Sequence, residues 1–181
     1  MKKAIIVIIV LILISIIAYF IIAKTSKKEV AVTETTMEIT SSAFQEGGAI
    51  PAKYSCKGEN ISPDLKIEGI PAEAKSLALI IDDPDAPAGL WTHFLLANID
   101  PSTSTISEDS IPEGAIIGAN SSGEAKYDGP CPPSGTHRYY FKIFALDRTL
   151  ELKSGFSRRE LEEAMERHIL AQGQLIGKFS K

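Results

Sequence analysis

The residues best equipped for chemistry in this chain are few: Asp82, Asp83 and Asp85 in "IIDDPDAPAGL", His93 in "WTHF", and His137 with Tyr139 in "THRYY". Two imidazoles and a phenol can donate hydrogen bonds to the oxygens of an anion, and a carboxylate beside an imidazole holds it in one tautomer. A carboxylate next to an anion is repulsive, so Asp83 must either share a proton with the ligand or polarise a donor that faces it. Pro84 and Pro87 fix the turn after Asp83 so that its side chain points inward. Asp82 and Asp85 are then left as structural acceptors for backbone groups or Arg138. His93 on its own reads as a satisfied core histidine beside Trp91. Asp83, His93, His137 and Tyr139 taken together read as an anion pocket at one sheet edge.

Other chemistries lack their motifs. Asp83 and Asp85 begin like a calcium loop, but the glycine at the sixth position is missing and Phe94 stands where the acid at the twelfth belongs. The chain contains no G-x-S-x-G elbow, no H-E-x-x-H pair and no G-x-x-x-x-G-K-[ST] loop. A triad built from a scattered serine, His93 or His137 and an aspartate is something most domains could offer, so no catalytic residue is assigned. Cys56 and Cys131 lie 75 positions apart with neither C-x-x-C spacing nor a histidine at ligand distance. A zinc site has no support, and no metal or cofactor is expected. The two cysteines read either as a disulfide or as two separate buried thiols.

The groups must be positioned by strands. Short apolar runs divided by Gly, Pro, Asn and Ser clusters predict a mainly β domain, with clear strands at residues 77–81, 94–99 and 139–146 and weaker ones at 37–41, 65–68 and 115–117. In "RYYFKIFALD", alternation places Tyr139, Phe141, Ile143 and Ala145 on one face and Tyr140, Lys142, Phe144 and Leu146 on the other. Apolar residues on both faces predict a central strand. Ser157 and Glu160 fit a capping box that opens a helix with the stripe Leu161, Ala164, Met165, His168 and Ile169. His168 reads as a half-buried packing residue and Gly173 as the C-cap, followed by a short last strand in "QLIGKF". Residues 120–138 form a long loop in which Pro130, Pro132 and Pro133 restrict the backbone in advance.

Residues 4–23 are twenty residues without a charge, long enough to span a bilayer as a helix, with lysines on both flanks. A cleaved signal peptide is the alternative, but the run exceeds a signal core and no small-x-small site follows it. The expectation is a single-pass membrane protein: an anchor over 1–28, a polar tether over 29–36, and an extracytoplasmic domain over 37–181. Residues 29–181 hold 14 basic against 23 acidic side chains, a formal charge of −9, which excludes a nucleic-acid surface. Any phosphate must therefore be held by a local pocket rather than by bulk charge.

The stretches "CKGENISPDL", "DDPDAP", "WTHF", "YDGPCPPSGTHRYYFKIFALD" and "HILAQGQLIGKF" resemble, in order and through nearly all of residues 37–180, the phosphatidylethanolamine-binding proteins, in particular the prokaryotic members called Raf-kinase-inhibitor-like. The resemblance implies a large antiparallel sheet packed with a smaller sheet, short helices including a C-terminal one, and a small anion pocket at one edge. It places Asp83, His93, His137 and Tyr139 in that pocket, with residues 129–133, including Pro130 and Pro132, as a wall. Family members bind phosphate-bearing head groups, and several inhibit protein kinases or serine proteases. The implied partners are thus a small anionic or phosphorylated ligand and, as the alternative, a protease or kinase met by the 120–135 loop. Lys57, Asp64 and Thr92 depart from the family pattern at positions expected to border the mouth.

Overall fold

The computed structural model describes residues 35–181. Nine strands follow in chain order: β1 (Thr35–Thr36), β2 (Glu38–Thr40), β3 (Leu65–Glu68), β4 (Ser76–Asp83), β5 (Trp91–Ile99), β6 (Thr105–Ile106), β7 (Ile116–Ile117), β8 (Thr136–Leu146) and β9 (Ile169–Ser180), with the helix α1 (Arg158–Met165) between the last two. The large sheet has the order β1-β9-β8-β4-β5-β7, and the small one β2-β3-β6. Every pairing is antiparallel except that of β1 with β9. This is the expected mainly β architecture of two sheets and a C-terminal helix.

Alternation along the strands divides the core in two. Leu77, Leu79 and Ile81 of β4 pack with Tyr139, Phe141, Ile143 and Ala145 of β8 and with Ile39, Leu65 and Ile67 of the small sheet. Ala78 and Ile80 face the other way, onto Leu161 and Met165 of α1 and Phe156 before it. β8 is apolar on both faces only toward its end, where Phe144 and Leu146 join the helix-side core, and it lies inside the sheet between β9 and β4. Both β4 and β5 run further than their apolar residues suggest, because Asp82 and Asp83 pair with Thr92 and Trp91 and so continue the ladder.

The C-terminal stretch differs from the expected arrangement. Ser157 and Glu160 form the capping box, but α1 stops at Met165. Arg167 turns into the left-handed region at φ 68°. From Ile169 onward the chain pairs with the whole of β8, and that ladder outweighs the helical stripe. His168 accordingly lies outside the helix and meets Asp147 at 2.9 Å through Nδ1. Gly173 is no C-cap. It sits within β9, where a Cβ would fall 2.3 Å from the carbonyl oxygen of Met37, so only glycine lets the two backbones pass.

The expectation of a single-pass membrane protein with an extracytoplasmic domain is corrected. Among the described residues no helix is long and apolar enough to cross a membrane. α1, with eight residues, is roughly 12 Å long against a hydrocarbon core of about 30 Å. The apolar run at residues 4–23 and residues 29–34 of the tether expected over 29–36 lie outside the described residues; the tether's last two residues, Thr35 and Thr36, are instead the strand β1 paired with β9.

Candidate anion-binding site

At the end of β4 alternation sends two adjacent carboxylates to opposite faces. Both are buried, Asp82 at 0% and Asp83 at 3% exposure. Asp82 goes to the helix face, where its Oδ2 accepts hydrogen bonds from Lys142 Nζ at 2.9 Å and Arg158 Nη1 at 2.7 Å. Asp83 goes to the other face, where its Oδ2 meets His137 Nδ1 at 2.7 Å and its Oδ1 accepts from the Asp85 backbone N–H at 2.7 Å. The latter bond closes the turn that Pro84 begins. Asp85 faces outward and accepts from the backbone, Nε and Nη2 of Arg138, which ties the turn to β8 beside His137.

A bulge positions His93. Ile81 pairs with Phe94 and Asp82 with Thr92, so β5 carries one extra residue at this point, His93. It turns to the Asp83 side while Phe94 keeps its place in the core. The side chain is 4% exposed. Its Nδ1 lies 2.5 Å from the backbone oxygen of Asp128. A carbonyl only accepts, so Nδ1 carries the hydrogen. Nε2 is buried without a hydrogen-bond partner. Burial pushes the imidazole below its ordinary pKa, a shift only partly opposed by the Asp128 carbonyl and the charges of Asp128, Asp83 and Asp82.

Residues 128–133 close the site, and four links fasten this wall to the segment around residues 54–60. Tyr127 Oη donates to the Tyr54 oxygen at 2.9 Å, Gly129 N to Asn60 Oδ1 at 2.8 Å and Cys56 N to the Pro130 oxygen at 3.2 Å. The fourth is the Cys56–Cys131 disulfide, which resolves the alternative left open by the sequence in favour of pairing. At Gly129 a Cβ would stand 2.3 Å from the Tyr54 oxygen, so the wall can lie this close only with glycine there. The cavity that the wall bounds, which opens to the surface, has a volume of about 280 Å³. Asp83, Trp91, His93, Asp128, Pro132 and His137 are among its lining residues.

Residues 40–180 match the family described as phosphatidylethanolamine-binding protein. The chain belongs to that family. A UPF0098 protein of Methanothermobacter thermautotrophicus is 48% identical over 150 residues, 80% of this chain and 99% of the relative. The crystal structure of a phosphatidylethanolamine-binding protein homologue from Chlamydia trachomatis is 44% identical, covers 81% of this chain and 99% of its own, and superposes with a TM-score of 0.78. YbcL of E. coli, described as a member of the mammalian family, shares 28% identity over 80% of this chain and 98% of its own, with a TM-score of 0.76.

Set against that family's expected pocket, the geometry brings Asp83, His93, His137 and Pro132 to one cavity and leaves two expected members outside its lining. Tyr139 is wholly buried, its ring edge-on to His93 at 5.2 Å between centroids, and its hydroxyl has no hydrogen-bond partner. Burial and the charges of Asp83 and Asp85 push its phenol well above the ordinary range. Pro130 is turned into the protein, where its carbonyl receives the Cys56 N–H. The three departures from the family pattern also lie away from the lining. The Lys57 ammonium sits over the Phe179 ring at 5.9 Å, Asp64 accepts from Ser42, and Thr92 pairs with Asp82 on the helix face. Sequence reasoning passes over Trp91 and Asp128. Trp91 had a signal, since it pairs in register with Asp83 and precedes His93 by two on one strand. Asp128 acts on His93 through its backbone oxygen, which no side-chain pattern encodes.

Proposed function

We propose that this protein binds small phosphate-bearing or other anionic head groups in the cavity between the D-P-D turn, His93 and the 128–133 wall. One observation supports the reading above the rest: both imidazoles have Nδ1 committed to a protein acceptor, His137 to Asp83 and His93 to Asp128, so each has only Nε2 left for a ligand. A core histidine with its hydrogen bonds satisfied would have no such spare atom.

The volume of about 280 Å³ suits a phosphate and a few further atoms, not acyl chains. Two or three charge-assisted hydrogen bonds of roughly 1.5 to 3 kcal/mol each act against an association cost of at least about 4 kcal/mol. A Kd of about millimolar order follows. Residues 128–133 are taken up by the cavity wall, which favours ligand binding over the alternative in which the 120–135 loop inhibits a protease or a kinase.

Titration with inorganic phosphate, observed through the histidine ring signals in phosphate-free buffer, tests the reading. Saturable shifts at His93 and His137, with His168 unmoved, are expected. Signals that stay in place up to high phosphate would refute it.

A further inference from the structure

On the face of the large sheet opposite the anion cavity the cover is incomplete. Neighbouring strands lie about 4.8 Å apart and a helix is roughly 10 Å across, so α1 spans only part of the sheet. It shares a core with Ala78 and Ile80 of β4 and with Leu95 and Ala97 of β5. Beside it β8 and β9 present Lys142 and Phe144, with Gln174 and Gln172 opposite them in register. α1 ends at Met165 and the chain turns at Arg167 into β9, which brings Arg167 and Ile169 to the same place. The groove between helix and strands has a volume of about 770 Å³, within the range of small-molecule sites.

This groove joins apolar surface to cations with donors to spare. Buried Asp82 holds Lys142 Nζ and Arg158 Nη1, and Glu162 holds Arg158 Nε. The ammonium thus spends one of its three N–H donors and the guanidinium two of its five. Asp82 remains a structural clamp, and the two cations it fixes line the groove. Phe144 is half-buried and Ile169 is 45% exposed, so apolar surface here is still open to water. The charges cancel, with Lys142, Arg158 and Arg167 set against Asp82, Glu162 and Glu166. We infer that the groove is a second binding site, whose ligand is a single carboxylate on an apolar body. The carboxylate takes the free N–H groups of Lys142 and Arg158, and the apolar body covers Phe144, Met165 and Ile169. A cationic ligand finds Asp82 buried and Glu162 already paired. A dianion such as phosphate adds two negative charges to a site whose own charges cancel, and leaves the apolar surface wet. A neutral alcohol forgoes the charge-assisted hydrogen bonds, which are the stronger ones.

Titration of the full-length protein with phenylbutyrate, followed through the methionine methyl signals, tests this site. The methyl of Met165, which lines the groove, should shift saturably under the ring current of the probe. The methyl of buried Met37 and the rings of His93 and His137 should stay in place. Phenylbutanol and phenylbutylamine keep the apolar body and change the head, and should bind at least about ten-fold more weakly, a difference of roughly 1.4 kcal/mol. Inorganic phosphate should leave Met165 unmoved, whatever it does at the histidines. Lys142→Gln keeps a donor for Asp82 but removes the charge, and should weaken phenylbutyrate about ten-fold. Gln174→Trp, at an exposed position in the lining, fills the groove from its surface and should abolish the Met165 shift with the melting curve unchanged. No shift at Met165, a shift that survives Gln174→Trp, or equal affinity for the acid and the alcohol would each overturn the inference. Histidine shifts in place of the Met165 shift would do the same, by putting the carboxylate in the anion cavity. The phosphate titration at the other face stands or falls separately.

Discussion

Asp82 and Asp83 are adjacent, equally buried and chemically identical, yet they serve different ends because a strand sends them to opposite faces of the large sheet. On the helix face Asp82 meets Lys142 and Arg158, whose charges are fixed, and one carboxylate oxygen takes both cations. On the cavity face Asp83 meets an imidazole, which has a second nitrogen to offer. A buried carboxylate between permanent cations is a structural clamp; a buried carboxylate against a histidine orients a group that can act on something else. The partner, more than burial or charge, separates scaffold from site.

The two faces are also held by different means. The cavity wall is stapled covalently to the segment around residue 56, and the helix face depends on packing and the Asp82 ion pairs. The largest effect should therefore come from the staple. The disulfide closes a sequence separation of 75, which in the chain-entropy description contributes on the order of 4 kcal/mol. Reduction, or Cys56→Ser with Cys131→Ser, should lower stability to urea by about that amount and weaken phosphate binding while the helix signal persists below the transition. Phosphate affinity that survives reduction unchanged would show that hydrogen bonds alone hold the wall. Next, Asp82→Asn should cost about 3 kcal/mol, because it removes the shared negative charge from between two partly buried cations. The sharper part of this prediction is that phosphate affinity stays at its original value. A matching loss of affinity would erase the distinction between the faces.

Much of this arrangement is legible in the residues, and the illegible part has a physical pattern. The inward face of β8, the capping box at Ser157 and the turn around Pro84 follow from periodicity and local hydrogen bonding, which are nearest-neighbour properties. Asp83, His93 and His137 form a pocket by residue type only if their strands are neighbours, and that condition came from the resemblance to known proteins, since nothing local says that β4 lies between β5 and β8. Three features escaped. The bulge at His93 is a one-residue slip between strands, and the sequence shows only polar residues where the ladder continues. α1 ends at Met165 although its apolar stripe runs on through Ile169, because pairing along all of β8 offers Ile169 and its successors a better place than another helical turn. Tyr139 looks like a fourth ligand by type and parity. Its edge-on contact with the His93 ring depends on packing between strands, which spacing does not encode.

Asp85, the third carboxylate of the same stretch, gives the smallest effect and shows where the comparison ends. It lies at the surface, and the hydrogen bonds and charge of Arg138 hold its pKa at about 2, below the usual 3.8. A carboxylate whose pKa is lower folded than unfolded stabilises the fold in its ionised form, so the contribution is complete above about pH 4 and is lost as pH falls toward 2. Exposure keeps the contribution small, because water screens the pair. Melting temperatures of the wild type and Asp85→Asn, measured from about pH 5 down to pH 2, should converge as the wild type gives up this increment. Parallel curves would mean that Arg138 adds nothing. In that case Pro84 and the bond from the Asp85 N–H to Asp83 suffice to set the turn, and Asp83 both shapes its own loop and orients His137.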